Sequence, residues 1–200
     1  GAILRVASGA LRGLASLSEA EFNSTTFETG VADVSAEVVK VTLNVSTHSP
    51  STLNEVFESL GASINGALLS SNRTSSNIMK TACLATIDSL RVSDGALDYS
   101  ILRSSMESLS KGFSSAISNS TATRQMQIQQ LRALSTAVGN SIPKFTVNST
   151  FRSSLLLSTT KAMTEGLKDG PADGSMPISV SEVCAGSLDG IVTESVSRAD

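Results

Sequence analysis

The residues that could do chemistry are few and far apart. The only histidine, His48, lies in a Ser/Thr/Pro segment and has no second histidine with which to form a metal or catalytic cluster. Glu28, Asp33 and Glu37 lie near one another on one face of a predicted helix. A metal site there would need further oxygen ligands from other helices. The spacing is equally typical of an acidic, solvent-facing surface, and we favour that interpretation.

Serine and threonine are abundant, with 37 Ser and 18 Thr in 200 residues. None of these serines lies in a Gly-x-Ser-x-Gly nucleophile motif. Phosphate-binding loops, Gly-x-Gly-x-x-Gly turns and Cys-x-x-Cys pairs are missing from the sequence as well. The sequence therefore predicts that the protein is not an enzyme, and that it has no catalytic, cofactor-binding or metal-binding residues.

The two cysteines, Cys83 and Cys184, are far apart in sequence and lack the spacing of metal ligands. Each falls on the apolar stripe of a predicted helix. In an oxidising compartment they could form an intrachain disulfide. Two buried structural thiols are the other interpretation, because buried cysteine behaves as a small apolar residue. Both interpretations stay open at the level of sequence.

The composition excludes several classes of partner. Charged residues make up 16% of the chain, well below the usual quarter, and the net charge is −3. No basic run exists, so the electrostatic signature of a nucleic-acid-binding protein is missing. No apolar run approaches the length of a membrane span. We therefore expect neither nucleic acid nor membrane as a partner.

Apolar residues recur at helical spacing along most of the chain, which predicts an all-α, globular bundle of about six to eight short helices. The clearest segment covers residues 94–118. Its apolar stripe contains Tyr99, Leu102, Met106, Leu109, Phe113, Ala116 and Ile117. We expect Leu102, Leu109 and Phe113 to be among the most buried residues of the protein.

The opposite face of this segment consists of Ser104, Ser108, Ser114 and Ser115, where most soluble helices carry charged residues. We interpret this serine face as a solvent-exposed surface that is ready for association. Hydroxyl groups cost less to dehydrate than charged groups do, because they can pair with neighbouring chains. This interpretation requires the four serines to be exposed.

The two ends of the chain are also predicted to be helical. The first helix carries Ile3, Val6, Ala10, Leu14 and Leu17 on one side. The last carries Val183, Cys184, Leu188, Ile191 and Val192 as its apolar residues. We divide the chain into a bundle at 1–168, a Gly/Pro linker at 169–177 and a C-terminal helix at 178–200. That helix could pack on the bundle or on a neighbouring repeat.

A weak internal similarity suggests a duplicated helix pair. Leu11-Arg-Gly-Leu14 precedes the segment Phe22-Asn-Ser-Thr-Thr-Phe27, and Leu131-Arg-Ala-Leu134 precedes the similar segment Phe145-Thr-Val-Asn-Ser-Thr-Phe151. An ancient duplication would explain this similarity. Helix caps rich in Ser and Thr, which resemble one another by necessity, explain it equally well.

Several short stretches are similar to the helical repeats of spider silk proteins of the aciniform or tubuliform kind. They are Leu4-Arg-Val-Ala-Ser-Gly-Ala-Leu11, Thr29-Gly-Val31 with Ala36-Glu-Val-Val39, and Ser-Ser-Ala within Phe113–Ile117. The resemblance implies a secreted, extracellular structural module that self-associates into fibres, with neighbouring repeats or other copies of the chain as its partners. It implies no catalytic residue and no cofactor. It also fits a chain that begins at Gly1, without Met, as a segment of a longer protein.

Two further observations bear on this interpretation. Five Asn-x-Ser/Thr sites, at Asn23, Asn44, Asn72, Asn119 and Asn148, fit a secreted chain and fit helix caps equally well. The alternative function is a secreted helical carrier for a small apolar ligand. Its cavity would be lined by Met79, Met106, Met126 and Met163, which could instead fill the core.

Overall fold

The computed structural model describes residues 2–17, 24–45, 50–70, 76–92, 99–169 and 176–197. Within these ranges it has eight α-helices: α1 Ala2–Ser16, α2 Ser24–Val45, α3 Pro50–Ser70, α4 Ser76–Val92, α5 Tyr99–Ser118, α6 Arg124–Ser141, α7 Ser149–Gly166 and α8 Met176–Ser197. Short 3-10 turns follow α6 at Ile142–Lys144 and α7 at Leu167–Asp169. The predicted all-α bundle is confirmed.

Local sequence explains where several helices begin and end. The side chain of Thr123 accepts a hydrogen bond from the Met126 amide and so caps α6. Pro143 lies just beyond Ser141, where α6 gives way to the 3-10 turn. Asn148 then caps α7, because its Oδ1 accepts a hydrogen bond from the Phe151 amide at 2.8 Å. Asn148 is therefore an Asn-x-Ser/Thr site that serves as a helix cap.

The helices form two layers in which each helix packs on the next but one. The odd helices α1, α3, α5 and α7 follow one another in the first layer, and the even helices in the second. Helices within a layer run parallel, as α6 and α8 illustrate. Arg124 contacts Ser179, Arg132 contacts Glu182, and Gly139 faces Gly190. Later residues of α6 thus contact later residues of α8, so the two helices point in the same direction. Four consecutive helix pairs are thereby stacked side by side.

The stack has a repeat of about 50 residues. Odd helices begin at Ala2, Pro50, Tyr99 and Ser149, and even helices begin at Ser24, Ser76, Arg124 and Met176. Buried side chains recur at the same interval, as Val31, Cys83, Leu131 and Val183 do in the even helices. A helix pair is thus repeated, but the equivalent helices differ from those that the sequence similarity predicts. The similarity makes α1 and α2 equivalent to α6 and α7, whereas in the structure α1 is equivalent to α3, α5 and α7.

The hydrophobic core runs between the two layers. Leu102, Leu109 and Phe113 are fully buried, as predicted. Tyr99 was wrongly included in the buried stripe, since it is 44% exposed. Its ring stacks on Phe151 of α7, with 4.6 Å between the ring centroids. Tyr99 lies in the first turn of its helix, where one side remains open to solvent.

The serine face of α5 is not a solvent-facing surface, and that interpretation was wrong. Ser108, Ser114 and Ser115 are buried, and Ser104 is half-buried. A Cβ atom on Gly166 of α7 would collide with the Ser114 hydroxyl, which shows how closely α5 and α7 approach. The Ser114 hydroxyl donates to the Ser110 carbonyl at 2.8 Å. A small side chain whose own helix accepts its hydroxyl proton can be buried at a helix–helix contact with little cost.

The C-terminal helix packs within the chain, against α6. Its glycines allow this contact, because a Cβ atom on Gly190 would lie 2.8 Å from the backbone nitrogen of Asn140. Of the predicted linker, Asp169 ends a 3-10 turn, Met176 and Pro177 begin α8, and residues 170–175 lie outside the described ranges.

Candidate functional site: the two ends of the helix stack

The structure does not bring the three carboxylates of α2 together. Glu28 accepts a hydrogen bond from the Thr81 hydroxyl of α4, and Glu37 forms an ion pair with Lys40 at 2.8 Å. Asp33 is exposed. Among the described residues, no three His, Cys, Asp or Glu side chains are grouped as ligands for a metal ion. His48 lies outside the described ranges.

A disulfide between Cys83 and Cys184, one of the two interpretations left open, is not found, since both thiols are free. The physical reason is that they lie in different environments, on helices that do not form a packing interface. Cys83 is fully buried in the core on α4, whereas Cys184 is exposed on α8, so they are not both buried thiols either. Burial raises the pKa of the Cys83 thiol above its ordinary value, which makes that thiol unreactive.

A groove lined mainly by polar residues lies along α3, α5 and α7, with a volume of about 570 Å³. Four of its five charged side chains pair within their own helices. Arg103 Nε donates to Glu107 at 2.7 Å, and Lys161 lies 4.0 Å from Glu165. The lining contains neither histidine nor cysteine, and its two carboxylates, Glu107 and Glu165, each face a cation of their own helix.

The four methionines considered for a carrier cavity do not line a groove. Met79, Met106 and Met163 are fully buried in the core, and Met126 is half-buried. None of them is among the residues that line the groove along α3, α5 and α7, the two apolar grooves on the first and last helix pairs, or a groove between α1 and α3. They fill space between the helices, as methionine commonly does.

The first helix pair carries an apolar groove of about 400 Å³ at one end of the stack, which we call the α1/α2 end groove. It is lined by Ile3, Val6, Ala7, Ala10, Asp33, Val34, Glu37, Val38 and Val41. Val6 is the most open of these apolar residues, with 72% of its surface exposed. The groove faces away from α3 and α4, so nothing in the chain covers it among the described residues.

The last helix pair carries a second apolar groove, of about 330 Å³, which we call the α7/α8 end groove. Its lining consists of Ser153, Leu156, Leu157, Thr160, Cys184, Ser187, Leu188 and Ile191. Leu157 is 73% exposed and Leu188 is 63% exposed. Val192 continues this apolar surface at 61% exposure. The two grooves therefore lie at opposite ends of the stack.

The sequence analysis did not identify these end surfaces, because it treated the apolar residues of the first and last helices as one set on each helix. On α8 only Val183 of the five predicted residues is buried, whereas Cys184, Leu188 and Val192 are exposed. A helix turns about 100° per residue, so positions 183 and 188 differ by roughly 140° and cannot face one neighbour. On α1, Val6, Ala10 and Leu17 are likewise exposed. Apolar arcs this wide indicate two contact faces, and that signal was present in the sequence.

Comparison with known proteins adds no relative. Neither the models of known protein families nor the curated proteins contain a match to this chain. Within the described residues, none of the helices combines the length and the apolar character needed to cross a membrane. The end grooves are thus the surfaces whose physical properties point most clearly to a role.

Proposed function

We propose that this chain is a structural module of a secreted, fibre-forming protein of the silk kind, a helical stack that stays soluble at moderate concentration and self-associates on assembly. The single observation that carries the proposal is the pair of apolar grooves at opposite ends of the stack. Val6 at one end and Leu157 at the other are each more than 70% exposed. Neither residue is needed in the core of the chain itself.

The stacking of the helices explains why apolar ends favour association. Proteins built from stacked helix pairs need terminal pairs with a polar outer face to remain separate in solution. Here both terminal pairs present apolar side chains instead. The low charge of the chain, with 16% charged residues and a net charge of −3, weakens the repulsion that would keep copies apart.

The apolar end grooves take the role of association surface that the sequence analysis gave to the serine face of α5. Serines allow α5 to pack tightly within the module, so they stabilise the soluble state and do not present an association surface. The secreted location and the silk-like role rest on the resemblance of Leu4–Leu11, Thr29–Val31 and Ala36–Val39 to silk repeats. A non-catalytic role without cofactors is part of the same proposal.

Shearing a concentrated solution tests the function. Circular dichroism and light scattering are recorded before and after shear, with a dilute sheared sample as the control. We expect a helical spectrum at the start, fibres after shear, and partial conversion to β-structure, since valine-dense segments such as Val38–Val45 have high strand propensity. A spectrum that never changes, without fibres, would contradict the proposal. A small apolar molecule retained in a native mass spectrum would favour the carrier instead.

A further inference from the structure

We infer that copies of this module dock head to tail: the α7/α8 end groove of one copy receives the α1/α2 end surface of the next, and both layers continue across the junction. The inference rests on the proposed function and names the partner of its two end surfaces. The partner is a second copy of the same module, either on another chain or as the next repeat of a longer one.

The internal architecture supplies the first argument. Each helix pair in the stack is covered by the next pair, which lies parallel to it and about 50 residues further along the chain. Among the described helices, α1 and α2 form the first pair and α7 and α8 the last, and each of these two pairs carries an uncovered apolar groove. In the described ranges, no packing interface joins α1 or α2 to α7 or α8, so the stack does not close on itself. A second copy would supply the missing neighbour at either end.

The chemistry of the two ends supplies the second argument. Aliphatic side chains make up most of the lining of the α1/α2 end groove and half of the lining of the α7/α8 end groove, and their burial provides the driving force for association. Asp33 and Glu37 place carboxylates at the α1/α2 end groove. The side chains that line the α7/α8 end groove, by contrast, are uncharged. Two α1/α2 ends in contact would bring these carboxylates together, whereas an α7/α8 end groove adds no charge, so unlike ends pair with less repulsion.

The consequence is an open assembly. A contact between two different surfaces of the same molecule is heterologous, and it generates a filament unless the rotation between copies closes a ring. A contact of one groove with the same groove on another copy would stop at the dimer. Head-to-tail docking therefore predicts growth without a fixed size, as a fibre-forming module needs.

Two variants that each block one end test the inference. Val6→Glu places a charge in the α1/α2 end groove, and Leu157→Glu places one in the α7/α8 end groove. Both residues are more than 70% exposed, so neither change disturbs the core, and circular dichroism verifies this.

In sedimentation velocity at high concentration, we expect wild type to form species of increasing mass and each variant alone to remain monomeric. An equimolar mixture of the two should form a dimer and stop there. Leu188→Glu should reproduce the behaviour of Leu157→Glu.

Each other outcome has a definite meaning. Dimers formed by one variant alone would show that like ends pair and would overturn head-to-tail docking. A mixture that stays monomeric while wild type associates would overturn it too. If the blocked variants still give fibres under shear, the inference fails while the fibre-forming function stands. If wild type neither associates nor forms fibres, both fail.

Discussion

Gly139 of α6 and Gly190 of α8 meet where the last two even helices cross. A Cβ atom on Gly190 would lie 2.9 Å from Gly139 Cα and 2.6 Å from the Thr136 carbonyl oxygen. These distances are shorter than ordinary van der Waals contacts, and the atoms concerned belong to the backbone, which cannot move aside easily. The two helices are therefore held in register by the lack of a side chain at these positions.

This contact predicts opposite effects for two Gly→Ala substitutions. Gly190→Ala should destabilise the protein by about 1–3 kcal/mol, because the added methyl group separates α8 from α6. Gly66→Ala on α3 is the matched control, since a Cβ atom there meets nothing within 4 Å. It should stabilise the protein by about 0.5–1 kcal/mol through helix propensity. Urea denaturation of both variants measures the difference, and equal effects would contradict the packing described.

The buried serines of α5 predict a second contrast. Ser114→Leu should cost about 1–3 kcal/mol, because a larger side chain has no room beside Gly166 of α7. Thr29 of α2 forms the same kind of bond, from its hydroxyl to the Thr25 carbonyl at 3.0 Å, but it is exposed. Thr29→Leu should therefore change the free energy of unfolding by less than about 0.5 kcal/mol. A tolerated Ser114→Leu would restore the serine face as an open surface.

The sequence was sufficient for the fold class and the core of α5, because apolar residues at helical spacing determine both. The sequence was not sufficient to predict the burial of Ser114, because serine occurs both on surfaces and in helix contacts. Only the neighbouring Gly166 distinguishes the two. The repeat of about 50 residues escaped detection for a related reason. Equivalent buried positions hold Phe27, Met79, Gln127 and Ser179, of which two are apolar and two are polar.

The end surfaces could have been predicted in part. Val183 and Leu188 lie on clearly different faces of one helix, which already requires a second contact surface. What the sequence could not show is that α1 and α8 belong to the terminal pairs of a linear stack. That depends on which helices are neighbours, and helical periodicity carries no information about pairing order.

The two thiols should differ in accessibility. In the folded protein, a thiol reagent should modify Cys184 within the mixing time and leave Cys83 unmodified, since one is exposed and the other is fully buried. Both should react in denaturant. Mass spectrometry of the labelled protein identifies the modified residue. Rapid modification of Cys83 under native conditions would show that α4 is not packed as described.

Burial of Cys83 also predicts a dependence of stability on pH. Its pKa is raised above the ordinary value of 9.0, so the folded protein keeps the proton after the unfolded chain has lost it. The contribution of the thiol is therefore fully present below pH 9 and is lost as the pH rises above it. The slope should be about 1.4 kcal/mol per pH unit. Cys83→Val should lack this loss when both proteins are unfolded by urea between pH 8 and 11. Parallel profiles would contradict the assignment.

The most direct measurement of end-to-end stacking uses the native thiol in the α7/α8 end groove. Ala10→Cys places a second exposed thiol in the α1/α2 end groove, and a copper–phenanthroline oxidant then joins thiols that are in contact. Gln129→Cys, exposed on α6 away from both ends, is the control. On a non-reducing gel, Ala10→Cys should give a ladder of dimers, trimers and longer species, and Gln129→Cys should not. If the cross-linked species of Ala10→Cys are no larger than those of Gln129→Cys, head-to-tail stacking is contradicted.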